Sequence, residues 1–261
     1  MTDGRTLVMS SYFTKKIHPQ YHPKCKGIGG LVSKGNKIGH VKTGNRGYCE
    51  KWIKSLSKFD VECLIFHDDL SEQFVEDMMC LSKNLNFVKT STDLPYLSNN
   101  DERFFVYLDY LFGQSYVSKV FMTDLWDVEC KNDPSKMSTE EFDLYFCQDG
   151  ISIEEYKFHQ YSYREISNSL NWNQIDLKNV LFNAGVLGGS FHQVLKFLIL
   201  FQHERNEVKD FSITKKCKLN INMALSNYIA RSFFSKIHSG YPFCSEFKKF
   251  EDRQDVYFIH K

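Results

Sequence analysis

The chain has 261 residues, a length that suits one large α/β domain or two small ones, and we expect one. With 42% hydrophobic and 25% charged residues, the chain can bury a substantial core. The 33 basic and 32 acidic residues give a formal net charge of +1, and no block of like charge dominates any region. Binding of nucleic acid by bulk electrostatic attraction is therefore not indicated.

The cysteines and the apolar runs indicate in which cellular compartment the protein is expected. The 8 cysteines form no Cys-x-x-Cys pair, and several lie inside apolar runs. This usage is typical of free thiols in a reducing compartment, and not of a disulfide framework or a zinc site. The first residues lack the apolar core of a signal peptide, and the longest apolar stretch, residues 194–201, is too short to span a bilayer. We therefore expect a soluble, cytoplasmic protein without a membrane span.

Short apolar runs alternate with amphipathic stretches in the first half of the chain. Strands are predicted over residues 6–13, 61–66 and 87–90, and helices over residues 48–56, 72–81 and 101–112. Ser71 is the expected cap of the second helix, and Asn99 or Asn100 that of the third. This alternation predicts a parallel sheet with helices on its faces.

Two features of this half allow two interpretations each. The glycine-rich residues 27–47 contain neither a dinucleotide-binding fingerprint nor a P-loop, so they form either a surface loop or a loop that folds over a nucleotide. Arg103 lies near the start of the third helix, out of step with its apolar stripe. It is either solvated or directed at a phosphate or a sugar hydroxyl.

The most informative stretch is residues 119–134. A short apolar run at residues 120–122 predicts a buried strand, and Asp124 and Asp127 follow where that strand should end. Asp133-Pro134 closes the stretch with a turn signal. Open α/β folds bind ligands at the carboxyl edge of the sheet, so two carboxylates there predict a divalent-cation site.

The second half contains one further informative stretch, residues 180–190. It predicts a strand that enters Asn183, a second short strand, and a turn at Gly188-Gly189 into a helix over residues 191–204. Small residues would let a substrate lie on the backbone, and the helix N-terminus would offer free N–H groups. An ordinary strand–turn–helix connection is the open alternative.

Other signals in this half are local. A capping box at residues 138–141 predicts a short helix, and residues 142–179 predict short helices or strands near an acceptor site. Residues 219–234 predict a further helix. The last strand, residues 255–261, ends in His260, and a lone His is more often structural than a ligand.

Together these stretches resemble the nucleotide-sugar-dependent glycosyltransferases with the GT-A fold. Val120-Phe-Met-Thr-Asp-Leu-Trp-Asp127, followed by Asp133-Pro134, is similar to the variant of their metal-binding DxD-type motif in which two residues separate the aspartates. Asn183-Ala-Gly-Val-Leu-Gly-Gly-Ser190 is similar to their Asn-(Ser/Ala)-Gly-x-x-Gly-Gly segment, and Tyr257-Phe-Ile-His-Lys261 resembles their last strand, whose His completes the metal site. The three motifs occur in the family's order and extend over most of the chain.

This resemblance implies the fold and the reaction. A single GT-A-like α/β domain would span residues 1–261, with a Rossmann-like, mostly parallel central sheet flanked by helices and a small second sheet near the metal site. Its nucleotide-binding half would cover about residues 1–128, and its acceptor-binding half, which ends in the metal-ligand strand, about residues 129–261. The implied activity is metal-dependent transfer of a hexosyl or pentosyl group from a nucleotide-sugar donor, with a UDP-sugar favoured, to a glycan or other hydroxyl acceptor.

The resemblance also assigns residues. The implied metal ligands are Asp127 and His260, with Asp124 contacting the ribose or the metal through water, and Asp124, Asp127 and Asn183 are the candidate catalytic residues. The remaining assignments are Ser10, Ser11 and Tyr12 for the base, Arg103 for the donor sugar or diphosphate, Lys261 for the diphosphate, and Asn183, Ala184, Gly188 and Gly189 for the donor sugar and acceptor. Oxygen ligands suit Mg²⁺ or Mn²⁺, and the imidazole favours Mn²⁺.

Two departures from the family pattern leave alternatives open. Asp-Leu-Trp-Asp differs from Asp-x-Asp, so either aspartate is a candidate for the direct metal ligand. Asn222 stands where relatives often have an acid, so an inverting mechanism would take its base from Asp149, Asp176, Glu207 or Asp210, whereas a retaining mechanism needs no strong base. A nucleotidyl- or phosphotransferase with the same Asp pair, and a non-catalytic nucleotide-binding α/β module, are the alternative functions.

Overall fold

The computed structural model of the chain is an α/β fold built on a seven-stranded sheet. The structure describes residues 4–15, 41–90, 94, 97–155, 159–170, 176, 178–208, 220–249 and 252–261. Most of the glycine-rich segment and the base candidate Asp210 lie outside these residues.

The described residues contain nine strands and six α-helices. The strands are β1 Arg5–Tyr12, β2 Glu62–His67, β3 Leu85–Lys89, β4 Val117–Thr123, β5 Val128–Cys130, β6 Leu144–Ser152, β7 Val180–Ser190, β8 Ile237–Ser239 and β9 Phe258–His260. The helices are α1 Glu50–Leu56, α2 Glu72–Met79, α3 Asn99–Phe112, α4 His159–Leu170, α5 Phe191–Glu207 and α6 Asn222–Phe233. The alternation predicted for the first half of the chain is confirmed.

The central sheet has the strand order β3-β2-β1-β4-β7-β6-β8. Strands β1 to β4 are parallel to one another, and β7 is antiparallel to both of its neighbours. Strands β5 and β9 form a separate antiparallel sheet. The expected mostly parallel central sheet with a small second sheet is therefore confirmed.

Helices cover both faces of the central sheet, which explains why its inner strands are continuously apolar. Leu7 and Met9 of β1 pack in a core with α3, α5 and α6, whereas Val8 packs in a second core with α1 and α2. Side chains alternate between the faces of a strand, so burial on both faces requires apolar residues at successive positions.

Three local predictions for this fold are wrong. Ser98 caps α3, because its Oγ accepts a hydrogen bond from the Asp101 N–H at 3.2 Å. The helix therefore begins at Asn99, and the predicted caps Asn99 and Asn100 lie in its first turn. Residues 138–141 form no helix, because the chain there is held by tertiary contacts such as the Tyr145 hydroxyl, which donates to the Ser138 carbonyl at 2.9 Å. Strand β7 is continuous through Gly188, with no turn before α5.

A buried ion pair joins three helices on one face of the sheet. Asp101 in α3 is 0% exposed, and its Oδ2 lies 3.3 Å from the Nε of Arg205 in α5. Its Oδ1 accepts from the Ile221 N–H, just before α6, at 3.3 Å. The carboxylate therefore fixes α5 and α6 relative to α3.

We predict that Asp101→Ala lowers the free energy of unfolding by about 3–5 kcal/mol, because it leaves the Arg205 guanidinium buried without its carboxylate. Urea denaturation followed by circular dichroism measures this change. The control is Asp255→Ala, which removes an exposed pair with Arg253 and should leave the midpoint unchanged. Equal midpoints for Asp101→Ala and the wild type would contradict the prediction.

Candidate metal centre

The first two candidate ligands lie in the loop that joins the two sheets. Strand β4 ends at Thr123, and the next N–H, that of Asp124, donates to the Gly185 carbonyl in β7 at 2.7 Å. After this contact the chain leaves the central sheet and passes through Asp127 into β5. Both carboxylates are thus at the carboxyl edge of β4, as predicted.

The third candidate ligand is brought there by the small sheet. His260 in β9 pairs with Val128 in β5, directly after Asp127. The Lys261 N–H donates to the Asp127 carbonyl at 2.9 Å, which extends the pairing by one residue into the loop. A strand from the far end of the sequence therefore closes the site.

The distances between the three side chains suit a bridging cation. His260 Nε2 lies 3.7 Å from Asp127 Oδ1 and 3.8 Å from Asp124 Oδ2, and one ligand atom from each residue lies within 4.8 Å of the others. Both separations are too long for a hydrogen bond. Two donors at about 2.1 Å from a common cation lie up to about 4.2 Å apart, so one ion accommodates both separations.

The burial of His260 supports the same conclusion. The residue is 2% exposed, and its Nε2 has no hydrogen-bond partner among the described residues. A buried nitrogen without a partner costs free energy unless something else contacts it. Phe247 packs against the imidazole with its ring centroid 4.2 Å away, and the His260 N–H donates to Ser245 Oγ at 3.1 Å, so the ring is held in place.

Arg103 is buried beside the site, so its interpretation as a solvated residue is wrong. It is 6% exposed, its Nη1 pairs with Asp124 Oδ1, and its Nη2 donates to the Ala184 carbonyl at 2.9 Å. Burial, the largest single effect, lowers the pKa of Arg103, but the Asp124 carboxylate together with Tyr107 and Tyr48 raises the pKa overall, so the guanidinium stays charged. Arg103 thus fixes one Asp124 oxygen and leaves the other facing His260.

A bulge in β7 lies next to the site. Phe146 of β6 pairs with Leu187, whereas the next residue, Cys147, pairs with Asn183, so β6 advances by one residue while β7 advances by four. Residues 184–186 therefore have no partner in β6. Bulges of this kind re-aim backbone groups and are over-represented near active sites.

Gly185 in this bulge is the site residue that the sequence interpretation missed. A Cβ on it would lie 2.3 Å from His260 Cε1 and 2.7 Å from Asp124 Oδ2, well inside van der Waals contact. Only glycine therefore lets both candidate ligands converge. The Asn-Ala-Gly run is the available signal, but its small residues alone predict a surface under the substrate and not a packing position beside the metal ligands.

Asn183 holds the bulge through both ends of its amide. Its Oδ1 accepts from the Gly185 N–H at 2.8 Å, and its Nδ2 donates to Asp149 Oδ1 at 2.5 Å. Since the Gly185 carbonyl in turn accepts from Asp124, a hydrogen-bonded chain runs from β6 to a candidate ligand. This arrangement supports the site, and a catalytic role for Asn183 stays a prediction.

The candidates for a catalytic base lie in different surroundings. Asp149 is 8% exposed, and burial raises its pKa. Asp176 and Glu207 are both exposed, and neither belongs to the chain of contacts around Gly185. Among the described candidates, Asp149 alone lies next to the candidate metal centre.

The three residues assigned to the base mainly contact protein. Ser10 is 0% exposed, and its Oγ donates to the Thr123 carbonyl at 2.8 Å, which ties β1 to the end of β4. The Tyr12 hydroxyl donates to the Lys42 carbonyl at 2.7 Å, and burial raises its pKa to about 12. Ser11 alone is partly exposed at the sheet edge.

Gly188 and Gly189 are not brought to the candidate metal centre. They pair with Phe121 and Val120 inside the sheet, and a Cβ on Gly188 would lie 2.4 Å from Phe121 Cδ1. Their small size serves close packing between strands. Ser190 pairs with Lys119 near the start of β4, so the N-terminus of α5 lies at the edge of the sheet opposite to the candidate metal centre. The prediction that the free N–H groups of α5 contact a substrate there is therefore wrong.

Lys261 points away from the carboxylates into an ion pair. Its Nζ contacts Glu129 Oε1, and its side chain is 43% exposed. A contact with a diphosphate would require the ammonium to leave this pair, so the role implied by the resemblance stays a prediction.

Comparison with models of protein families finds no match, and a search of curated proteins finds no significant match. Among the described residues, no helix combines the length and the apolar character that crossing a membrane requires. The functional assignment therefore rests on the geometry of the site.

We predict that Gly185→Ala abolishes binding of Mn²⁺, because the added methyl group would occupy space taken by His260 and Asp124. Titration calorimetry with Mn²⁺ measures the effect, and circular dichroism verifies that the variant is folded. Gly113→Ala is the matched control, since the nearest atom to its Cβ, the Tyr110 carbonyl oxygen, lies at 3.7 Å. A folded Gly185→Ala variant with wild-type affinity would contradict this packing role.

We predict that cation binding releases about one proton at neutral pH. Burial lowers the pKa of His260, but the Asp127 carboxylate and the Cys147 thiol outweigh burial and raise it to about 10 in the metal-free protein. The imidazolium must lose its proton to bind a cation, so the apparent affinity should rise by about tenfold per pH unit below that pKa. Calorimetry in buffers of different ionisation enthalpy counts the protons, and an affinity that stays constant between about pH 6 and about pH 8 would argue against this proton release.

Proposed function

We propose that the protein is a metal-dependent glycosyltransferase that takes a sugar from a nucleoside diphosphate donor, UDP-linked by preference, and transfers it to a glycan or other hydroxyl acceptor. The observation that carries the proposal is the convergence of Asp124, Asp127 and the buried His260 at the carboxyl edge of the sheet. One imidazole and two carboxylates suit Mn²⁺ or Mg²⁺, with the imidazole favouring Mn²⁺.

The charge balance of the site supports an anionic ligand. With His260 in the neutral form that binds a cation, the two carboxylates and the Arg103 guanidinium sum to a charge of −1, from −2 and +1. A divalent ion changes this sum to about +1, and three protein ligands leave positions for phosphate oxygens. When bound, the ion would neutralise the charge that develops on a diphosphate leaving group.

The residues of the chain would have distinct tasks in this reaction. His260 and Asp127 hold the ion from the small sheet and its loop, and Asp124 faces it from the end of β4. Arg103 keeps Asp124 oriented and supplies a fixed positive charge. The Asn183–Gly185 contact keeps the bulge in the form that gives the ion room.

The architecture agrees with the finer fold assignment. A mostly parallel central sheet with one antiparallel strand, and a small sheet whose strand carries His260, supports a GT-A-like domain. A nucleotidyl- or phosphotransferase and a non-catalytic binding module use the same cation chemistry. The experiments below separate the non-catalytic binding module from the proposed activity.

We predict that UDP with Mn²⁺ raises the unfolding midpoint of the wild type more than GDP or CMP does, since a ligand that prefers the native state stabilises it by about 2.7 kcal/mol at 100 times its dissociation constant. Asp127→Ala and His260→Ala should lose this shift, because each removes a cation ligand. Asp109→Asn, an exposed site on α3, is the control that should retain it.

Two outcomes would count against the proposal. The absence of a shift with every nucleotide would overturn the nucleotide-diphosphate assignment, and a full shift in both ligand variants would overturn the metal-site assignment. Slow Mn²⁺-dependent hydrolysis of a UDP-sugar by the wild type distinguishes a glycosyltransferase from a binding module, which would bind the donor without turnover.

A further inference from the structure

The loop between the two carboxylates exposes a large aromatic side chain. Trp126 is 58% exposed, whereas its neighbour Leu125 is 3% exposed and packs in the core. The two flanking carboxylates are partly exposed, with side-chain values of 35% for Asp124 and 27% for Asp127. Among the exposed large hydrophobic side chains of the described residues, Trp126 is the one that belongs to the candidate metal centre.

Trp126 is the outer member of a row of three aromatic rings, in which Trp126 and Tyr48 are stacked and Tyr48 and Tyr12 are tilted. Its ring lies 5.6 Å from that of Tyr48 at an interplanar angle of 25°, and Tyr48 lies 4.8 Å from Tyr12. Tyr12 is fully buried at the end of β1, where its hydroxyl donates to Lys42 and accepts from the Asn45 N–H at 2.9 Å. The buried Tyr12 thus supports Tyr48, on which the exposed indole is stacked.

The position of Trp126 suits a ring that is linked to a phosphate. Trp126 directly precedes Asp127 and lies two residues after Asp124, so its Cα is within about 7.6 Å of theirs. A nucleoside diphosphate whose phosphates contact a cation at these carboxylates carries its base only a ribose further away. The base and the indole therefore fall within reach of each other.

We propose that the exposed indole of Trp126 stacks on the nucleobase of the donor. The inference rests on the proposed function, because the phosphates of the same ligand must contact the cation held by Asp124, Asp127 and His260. Every base has a π face, so stacking adds affinity with little discrimination between bases. Trp126 would accordingly strengthen the binding of UDP and GDP alike.

The test compares ligands with and without a base. Calorimetry with Mg²⁺ measures the affinities of UDP, GDP and inorganic pyrophosphate for the wild type, Trp126→Ala and Trp126→Phe. Trp126→Ala should weaken UDP and GDP by roughly 10-fold or more and leave pyrophosphate unchanged, and Trp126→Phe should retain most of the affinity. The affinity for Mn²⁺ alone should be equal in all three proteins. A substitution that disturbed the loop between Asp124 and Asp127 would weaken Mn²⁺ binding as well.

Phe112→Ala is the matched control. Phe112 is 64% exposed at the end of α3, which precedes the start of β4 and so lies at the opposite edge of the sheet. This variant should bind UDP as the wild type does. An equal loss in Phe112→Ala and Trp126→Ala would overturn the proposal, as would equal losses of UDP and pyrophosphate in Trp126→Ala. A loss for a UDP-sugar without a loss for UDP would assign the indole to the sugar and overturn it too.

A metal-free measurement separates this inference from the proposed function. Uridine alone should quench the fluorescence of the wild type and not that of Trp126→Phe, in which the buried Trp52 is retained. If pyrophosphate and UDP fail to bind with Mg²⁺ or Mn²⁺ but uridine quenches Trp126, the metal-dependent function fails and the stacking surface stands. If the wild type binds UDP no more tightly than pyrophosphate, or uridine quenches both proteins equally, the stacking surface fails.

Discussion

The candidate site depends on the absence of a side chain at Gly185. The Gly185 carbonyl accepts a hydrogen bond from the Asp124 N–H at the end of β4. The space where a Gly185 side chain would lie is filled by His260 and the Asp124 carboxylate. A bulge delivers this glycine, and Asn183 holds the bulge in place. Close packing of this kind tolerates little change in volume, so the arrangement of the ligands is a property of β7 as much as of the residues that carry the charges.

Electrostatics sets a second condition on the same arrangement. Two carboxylates that share a small space repel each other, and a buried positive charge reduces that cost. Arg103 supplies the charge from α3, and its second nitrogen contacts the Ala184 carbonyl, which the bulge leaves without a partner in β6. The guanidinium therefore couples the charge of the site to the shape of the strand, and its fixed position makes it a support for Asp124 before any ligand arrives.

Features of the site that depend on residues adjacent in the sequence were predicted correctly. An apolar run followed by Asp124 and Asp127 locates a strand end, and the last strand delivers His260, because both depend on neighbours along the chain. The role of Gly185, the burial of Arg103 and the continuity of β7 depend on pairing between residues far apart in sequence. The glycines at residues 188–189 predict a turn from the local sequence, but a strand that packs closely on Phe121 also needs residues without side chains.

The loop from Asp124 to Asp127 joins these constraints in four residues. Its carboxylates face His260, Leu125 enters the core, and Trp126 turns outward onto Tyr48. Two residues between the aspartates, instead of one, give the loop both an inward anchor and an outward ring. A ligand with an anionic part and a planar part matches that division, because the cation ligands offer charge and the indole offers apolar surface only a few ångströms apart. For the proposed nucleotide donor, the longer spacing would thus let one loop contact both the phosphates, through the cation, and the base.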